Sequence, residues 1–158
     1  MNVLRLVAVF LSVLASPAMA RDLYLTNGTQ NGRFYLDVQS IQTKEVNGSV
    51  IRVFEAEGYQ IKPSGDRPSA LNWSLAANCS VPYQVATLSQ TAYDEKGQLL
   101  NKSPYHLPGQ PYSFESYQET DLWGDFWLAA CRGESMQLKE HRMFARSVPE
   151  VLQKLRKP

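Results

Sequence analysis

The sequence predicts an exported α+β domain made mainly of antiparallel strands, and three observations lead to this fold class. An apolar leader opens the chain, and short segments of alternating polar and apolar residues follow it, separated by Asn-Gly and similar turn residues. Helical spacing of apolar residues is clearest late in the chain, after residue 120. We therefore expect hairpins that form one sheet, with helices towards the C-terminal end.

Residues 1–20 have the three parts of a secretory signal peptide. Arg5 supplies a positive start, Leu6–Leu14 is an apolar run, and residues 18–20 (Ala-Met-Ala) match a cleavage site. We expect cleavage before Arg21. A lipoprotein would have a cysteine there, so we expect a periplasmic or secreted protein without a lipid anchor. The run is shorter than the ~20 apolar residues of a membrane-spanning helix, and no later segment approaches that length, so membrane insertion is not expected.

The chain that follows residue 20 carries no formal net charge. Removing Arg5 from the 16 basic residues leaves 15, against 15 acidic ones. Nucleic acid and anionic membrane surfaces require an excess of Lys and Arg, so neither is an expected partner. The remaining length, 158 minus 20 or 138 residues, suits one domain with a single core.

Two hairpins are predicted from turn residues. The longer one occupies residues 78–100, where alternate side chains should share one face of a strand: Tyr83, Val85, Thr87, Ser89, Thr91 and Tyr93. Its turn is residues 94–97, and Gly97 can adopt a positive φ. The second hairpin joins Ile41–Val46 to Ser49–Tyr59 through Asn47-Gly48, which tolerates the left-handed conformations of a type I′ turn. The second arm has apolar residues on both faces, so we expect it to be central in the sheet.

Alternation also predicts three further strands: Arg21–Thr26, Arg33–Asp37 and Leu71–Asn78. Asp37 ends the second of these, and its side chain is expected to cap the backbone at Gln39 or Ser40. The segment Ile61–Ser69 contains two prolines and a glycine, which predict a surface loop.

Helical structure is predicted in two places. Residues 121–131 place apolar side chains at helical spacing: Leu122, Phe126, Ala129 and Ala130, with Trp123 and Trp127 on an adjacent stripe. Ser147 and Pro149 are typical of a helix start, so a terminal helix through Leu155 is expected. Between these two segments, residues 132–145 fit either a final strand or helical pairs, and both interpretations are open.

Cys79 and Cys131 are the two cysteines of the chain, and in an exported protein they predict one disulfide. No C-x-x-C spacing or neighbouring histidine favours reactive or metal-binding thiols. Closing a loop of this size stabilises a fold by about 4 kcal/mol on the chain-entropy estimate. His106 and His141 have no partner at metal-ligand spacing, and no cofactor-binding motif occurs, so neither a metal nor a cofactor is expected.

The candidate binding residues lie in Ser103–Tyr117, which contains three prolines and four aromatic side chains: Tyr105, Tyr112, Phe114 and Tyr117. A tyrosine-rich ordered loop can be a recognition surface, so these four are the expected contacts with another protein. The alternative is a lid packed on the protein's own core.

Two other functions remain open. The carboxylates Asp37, Glu55 and Glu57 could serve a periplasmic enzyme or enzyme accessory. The simpler interpretation is that Asp37 is a cap and that Glu55 and Glu57 are solvated near a strand end; no catalytic motif occurs, so we do not expect an enzyme. The chain could also be a structural subunit that docks to an envelope assembly through its terminal helix.

The order of these motifs resembles the surface-adhesin protein E-like family of bacteria. The matching residues are Gly32–Asp37 with Ser40-Ile41, Arg52–Phe54, Asn78-Cys79, Tyr93-Asp94 with Gly97, and a helix that closes on Cys131. The likeness covers Leu23 to Gly133 and implies an antiparallel sheet of about six strands packed on a short helix, with Cys79 joined to Cys131. The chain is then divided into a signal peptide (1–20), an adhesin-like domain (21–133) and a C-terminal extension (134–158) that is helical at its end.

The family takes its name from an adhesin that binds host matrix and plasma proteins such as vitronectin and laminin. The resemblance therefore implies an exported binding module whose partner is another protein, either a host protein or an envelope component. None of the matched residues is a binding residue of that adhesin, so the resemblance supplies no binding site.

Overall fold

The computed structural model describes residues 20–62, 68–133 and 142–157. In these ranges the chain forms one nine-stranded antiparallel sheet and two α-helices. The strands are β1 (Arg21–Gly28), β2 (Gly32–Asp37), β3 (Gln42–Val46), β4 (Ser49–Gln60), β5 (Ala70–Asn78), β6 (Gln84–Tyr93), β7 (Leu99–Pro104), β8 (Glu115–Ser116) and β9 (Arg142–Ala145). The helices are α1 (Leu122–Arg132) and α2 (Val148–Arg156). No helix in the described ranges has the length and apolar character needed to cross a membrane.

The expected antiparallel sheet is confirmed, but the expected number of about six strands is wrong. The sheet has the order β7-β6-β5-β4-β2-β1-β9, with β3 paired to β4 and β8 paired to β6. Two of the nine strands lie in segments for which the sequence does not specify a strand. β8 lies in residues 103–117, here called the aromatic loop, and β9 lies in residues 132–145, which fit either a strand or helical pairs. β4 is central as expected, because it pairs with β3, β2 and β5.

The two faces of the sheet carry different cores, which follow from the alternation of side chains along each strand. On the first face, here called the α1 face, α1 covers a cluster that includes Leu36, Phe54, Ala56, Trp73, Leu75 and Val85. On the opposite face, here called the α2 face, Val151 and Leu152 of α2 cover Leu23, Tyr35, Tyr59 and Ala70. A smaller cluster of Ile51, Ala76 and Ala86 on the α2 face is covered by Tyr112 and Phe114.

The local turn predictions are confirmed. Asn47 and Gly48 have φ values of 51° and 77°, as a type I′ turn requires. Gly97 has a φ of 76° in the β6–β7 turn. The Asp37 carboxylate accepts a hydrogen bond from the backbone N–H of Gln39 at 3.1 Å, which is the expected cap. Each of these features depends on a few adjacent residues, which explains why the sequence predicted them.

One prediction for β6 is wrong, because the strand contains a bulge. Leu75 pairs with Thr87 whereas Ser74 pairs with Ser89, so Leu88 is an extra residue in β6. Beyond the bulge the faces are exchanged, and Gln90 lies opposite Trp73 on the α1 face. Tyr83 precedes the strand and has a φ of 57°, so it belongs to the turn and not to the alternating run.

The expected disulfide is confirmed. Cys79 is bonded to Cys131 with a Cα–Cα distance of 5.4 Å and a sequence separation of 52. The bond joins the end of α1 to the turn before β6. Trp127 is buried beside it and donates its indole N–H to the Asn78 carbonyl at 2.8 Å, whereas Trp123 is half-buried.

The end of the chain packs onto the same sheet as the predicted adhesin-like domain. β9 pairs antiparallel with β1, and α2 begins at Ser147, whose hydroxyl accepts from the Glu150 N–H at 3.4 Å. The terminal helix is therefore confirmed, with a proline in its first turn as expected. The predicted signal peptide lies outside the described residues except for Ala20, as do residues 63–67 of the predicted loop and residues 134–141 of the predicted extension.

Candidate functional site

The aromatic loop is fixed to β6 at both of its ends. β7 pairs with the second half of β6 and β8 pairs with its beginning, so the loop leaves and rejoins the same edge of that strand. The carbonyl of the bulged residue Leu88 accepts from the backbone N–H groups of Tyr105 and His106, at 2.9 and 3.1 Å. At the other end, the Tyr117 N–H donates to the Tyr83 carbonyl at 3.0 Å. The bulge therefore determines where Tyr105 leaves the sheet.

The structure divides the four predicted contact residues between the two faces. Tyr105 and Tyr117 line a cavity on the α1 face. Tyr112 and Phe114 instead pack on the small cluster around Ile51 on the α2 face, with their ring centroids 5.8 Å apart. The four side chains therefore do not form one surface: one pair lines a cavity, and the other pair covers the protein's own core.

The cavity that contains Tyr105 and Tyr117 is the candidate site, and we call it the aromatic groove. It has a volume of about 340 Å³, and its described lining consists of Trp73, Thr87, Gln90, Tyr105, Ser113, Glu115, Tyr117 and Trp123. The Trp73 and Trp123 rings meet edge to face at a centroid distance of 5.6 Å, and the Tyr117 ring lies 6.1 Å from Trp123. Tyr105 is 61% exposed. The groove thus has a packed aromatic base and one freely accessible ring.

The polar groups of the groove are partly oriented by the protein itself. The Trp73 indole N–H donates to Gln90 Oε1 at 3.1 Å, which holds the amide against the sheet. The Tyr117 hydroxyl donates to Glu115 Oε2 at 2.7 Å. Burial, reinforced by the Glu115 carboxylate, raises the pKa of Tyr117 to about 12, so the phenol remains a hydrogen-bond donor at neutral pH. Glu115 itself is exposed, and it is the one charged side chain in the described lining of the groove.

A second cavity lies on the α2 face, between the β3–β4 turn and the aromatic loop. Its volume is about 450 Å³, and its lining includes Asn47, His106, Tyr112 and Phe114. The His106 ring lies 4.9 Å from that of Tyr112. Because Tyr112 and Phe114 also cover the Ile51 cluster, this cavity borders the packing that holds the loop in place.

The predicted carboxylates form a polar cluster on the α2 face, and the expectation that Glu57 is solvated is wrong. Glu57 is 1% exposed; it pairs with the Arg21 guanidinium and accepts a hydrogen bond from the Tyr59 hydroxyl. Burial raises the pKa of Glu57, against the opposing effect of Arg21. Asp37 is also buried, and its carboxylate accepts from two backbone N–H groups, whereas Glu55 is exposed. The three carboxylates influence one another electrostatically, but two of them are engaged within the protein.

Sequence reasoning identified Tyr105 and Tyr117 but missed Trp73, Gln90, Glu115 and Trp123 as parts of the same site. The alternation of residues 71–78 predicts a strand that contains Trp73, and the spacing of residues 121–131 predicts a helix that contains Trp123; both predictions are confirmed. Only the packing of α1 on β5 places these two indoles together, and a local sequence pattern does not predict that contact. Glu115 stands two positions before Tyr117, so its proximity to that residue was the one signal available from the sequence.

Within residues 20–62, 68–133 and 142–157, no group of three or more His, Cys, Asp or Glu side chains is placed to hold a metal ion. His141 lies outside the described residues. Comparison with known proteins supplies no relative: no protein-family model, curated protein or solved structure matches the chain.

Proposed function

We propose that the chain is an exported binding module that contacts another protein through the aromatic groove. The observation that carries the proposal is the placement of an accessible tyrosine, Tyr105, above a packed base of Trp73, Tyr117 and Trp123. Tyrosine and tryptophan dominate the binding energy of many protein interfaces, because they bury large areas with few rotatable bonds.

The placement of the groove residues on strands and on a helix supports a role in recognition. Five of these residues lie on β5, β6, β8 and α1, namely Trp73, Thr87, Gln90, Glu115 and Trp123. The backbone N–H groups of Tyr105 and Tyr117 donate to Leu88 of β6 and to Tyr83 in the turn before it. A partner would therefore meet a base of packed rings, Trp73, Tyr117 and Trp123, that is already ordered, which lowers the entropy lost on binding.

We infer the class of partner from the resemblance to the surface-adhesin protein E-like family. We propose a host matrix or plasma protein as the partner, with an envelope protein of the producing cell as the alternative. Both partners require export, which the predicted signal peptide would provide.

Two other functions have less support from the geometry. An enzyme accessory would need a group of free carboxylates, but the Glu57 carboxylate is engaged by Arg21 and Tyr59 and Asp37 serves as a cap, which leaves Glu55 as the exposed member of the three. A subunit docked through its terminal helix would need an apolar helix face, but Val151 and Leu152 of α2 are buried against the sheet.

The test is capture of the purified, oxidised chain on immobilised vitronectin, laminin and solubilised envelope proteins. Tyr105→Ser removes the accessible ring at an exposed position, so folding should be preserved. We expect about 30-fold weaker capture or more, the loss typical of an interface hot spot. Leu107→Ser is the matched control, because it removes an equally exposed apolar side chain of the same loop outside the groove lining.

Equal capture by wild type and Tyr105→Ser would show that the groove is not the contact surface. Loss of capture in both variants would assign the contact to the loop as a whole. Absence of capture on every surface would count against the proposed function itself.

A further inference from the structure

We propose that the aromatic groove receives an organic cation, the guanidinium of an arginine side chain that the partner inserts between the aromatic rings and Glu115. This inference rests on the proposed function for the identity of the partner, but its chemistry can be tested separately. It specifies which group of the partner the groove recognises.

The first reason is the combination of rings and charge. The described lining includes four aromatic side chains, whose ring faces carry a negative quadrupole and attract cations. It includes one charged residue, the carboxylate of Glu115, and no basic side chain. A cation that lay over the rings and met Glu115 would gain both interactions, whereas an anionic group would be repelled by both.

The second reason is the orientation of Glu115. Its Oε2 atom accepts the Tyr117 hydroxyl at 2.7 Å, and Tyr117 in turn packs on Trp123. The carboxylate is thereby held beside the aromatic base and does not need to be ordered by the ligand. Charge-assisted hydrogen bonds to a carboxylate are stronger than neutral ones, so an N–H donor of a cation is the favoured partner for its free lone pairs.

The third reason is the electrostatic environment of the Tyr117 hydroxyl. Apart from burial, the negative charges of Glu115 and Asp121 oppose ionisation of this phenol. The same negative potential that disfavours a phenolate in the groove favours a bound cation.

Arginine fits the groove better than lysine. The guanidinium is planar, stacks on aromatic faces and is less strongly hydrated than an ammonium group, so it loses less on entering a half-open site. The protein carries no formal net charge outside the predicted leader, so a general attraction of basic molecules is not expected to mimic a specific effect.

The test compares N-acetyl-arginine amide with N-acetyl-citrulline amide, which has nearly the same shape but no charge. Binding to the full chain is followed by the indole signals of Trp73 and Trp123 in ¹H–¹⁵N NMR spectra. We expect saturable shifts with the arginine compound and about tenfold weaker binding of the citrulline compound, the combined effect of a cation–π contact and an ion pair. Choline is a third probe, which shows whether any organic cation suffices or whether the planar guanidinium is required.

Two variants locate the effect. Glu115→Gln keeps an acceptor for the Tyr117 hydroxyl but removes the charge, and we expect arginine binding to fall about fivefold. Glu45→Gln is the control, because it removes an exposed carboxylate on β3, away from the groove. Equal binding of the arginine and citrulline compounds, or unchanged arginine binding in Glu115→Gln, would overturn the inference.

The outcomes for the two proposals can be distinguished. Selective arginine binding with unaltered protein capture by Tyr105→Ser would support cation recognition and contradict the proposed contact. Capture that depends on Tyr105, together with equal binding of the two probes, would leave the contact standing and remove arginine as its anchor.

Discussion

Gly97 in the β6–β7 turn lies directly against Pro149 in the first turn of α2. A Cβ atom placed on Gly97 would lie 2.7 Å from Pro149 Cδ, and Gly97 also has a φ of 76°. The β6–β7 hairpin at the edge of the sheet and the terminal helix therefore meet at a position where any side chain would be both strained and obstructed.

Replacement of Gly97 by alanine should consequently destabilise the protein more than the same replacement at Gly48. Gly48 has a φ of 77° but no atom within 4 Å of the added Cβ, so Gly48→Ala isolates the backbone cost of about 1 kcal/mol. Gly97→Ala adds overpacking against Pro149, and we expect a total loss of about 3 kcal/mol. Urea denaturation of both variants measures the difference.

The Gly97 and Pro149 substitutions should also be coupled. Pro149→Ala removes the ring atoms that obstruct Gly97→Ala, so the double variant should be more stable than the sum of the single effects predicts. Additive losses would contradict the contact.

Loss of the Arg21 side chain should leave the buried Glu57 carboxyl without its ion-pair partner. The Arg21 side chain is only 21% exposed and pairs with Glu57, so Arg21→Met should lower the unfolding free energy by about 3 kcal/mol at pH 7. Lys44→Met, at an exposed position on β3, should change it by less than about 0.5 kcal/mol. The double variant Arg21→Met with Glu57→Gln should recover part of the loss, because no buried charge remains without a partner. Equal stability of Arg21→Met and Lys44→Met would contradict the claim that the Arg21–Glu57 ion pair stabilises the folded protein.

The raised pKa of Glu57 predicts a pH dependence of definite sign. Burial raises the pKa of this carboxyl, so the folded protein binds the proton more tightly than the unfolded chain does. The resulting stabilisation is fully present below the unfolded-state pKa of about 4.3 and is lost as the pH rises through the folded-state pKa. The unfolding free energy of wild type minus that of Glu57→Gln should therefore decrease as the pH rises above about 4.

Denaturation series from about pH 3.5 upwards would measure this difference, because the change begins near the unfolded-state pKa of about 4.3. Glu45→Gln, at an exposed position, serves as the control for the loss of a carboxylate from the surface. A difference that increased with pH for Glu57→Gln would mean that the attraction of Arg21 outweighs burial.

The pKa of Tyr117, raised to about 12, offers a direct test of the groove geometry. Burial is the larger cause and the Glu115 carboxylate the next, so Glu115→Gln should lower the pKa towards 10 without reaching it. The titration can be followed from the ring carbon signals of labelled tyrosine, with Tyr117→Phe used to assign the resonance. An unchanged Tyr117 pKa in Glu115→Gln would show that the two side chains do not interact in solution.

The sequence by itself determined the features that depend on neighbouring residues. Asn47-Gly48 specified its turn because few other residues adopt two successive left-handed conformations. Ser147 specified a helix start, and Asp37 specified a cap, because their side chains reach backbone N–H groups only a few positions away. Two cysteines in a chain predicted to be exported allowed a single intramolecular pairing, which the Cys79–Cys131 bond confirms.

The tertiary structure alone decided the features that join distant segments. Leu88 forms a bulge because β5 and β6 pair with shifted register, and this shift exchanges the faces of half a strand. Glu57 is buried because Arg21, 36 positions away, provides the charge that compensates it. Trp73, Tyr105 and Trp123 form one groove because α1 packs across β5 beside the loop. Such contacts depend on how whole strands and helices pack against each other, and a pattern of adjacent residues does not predict that packing.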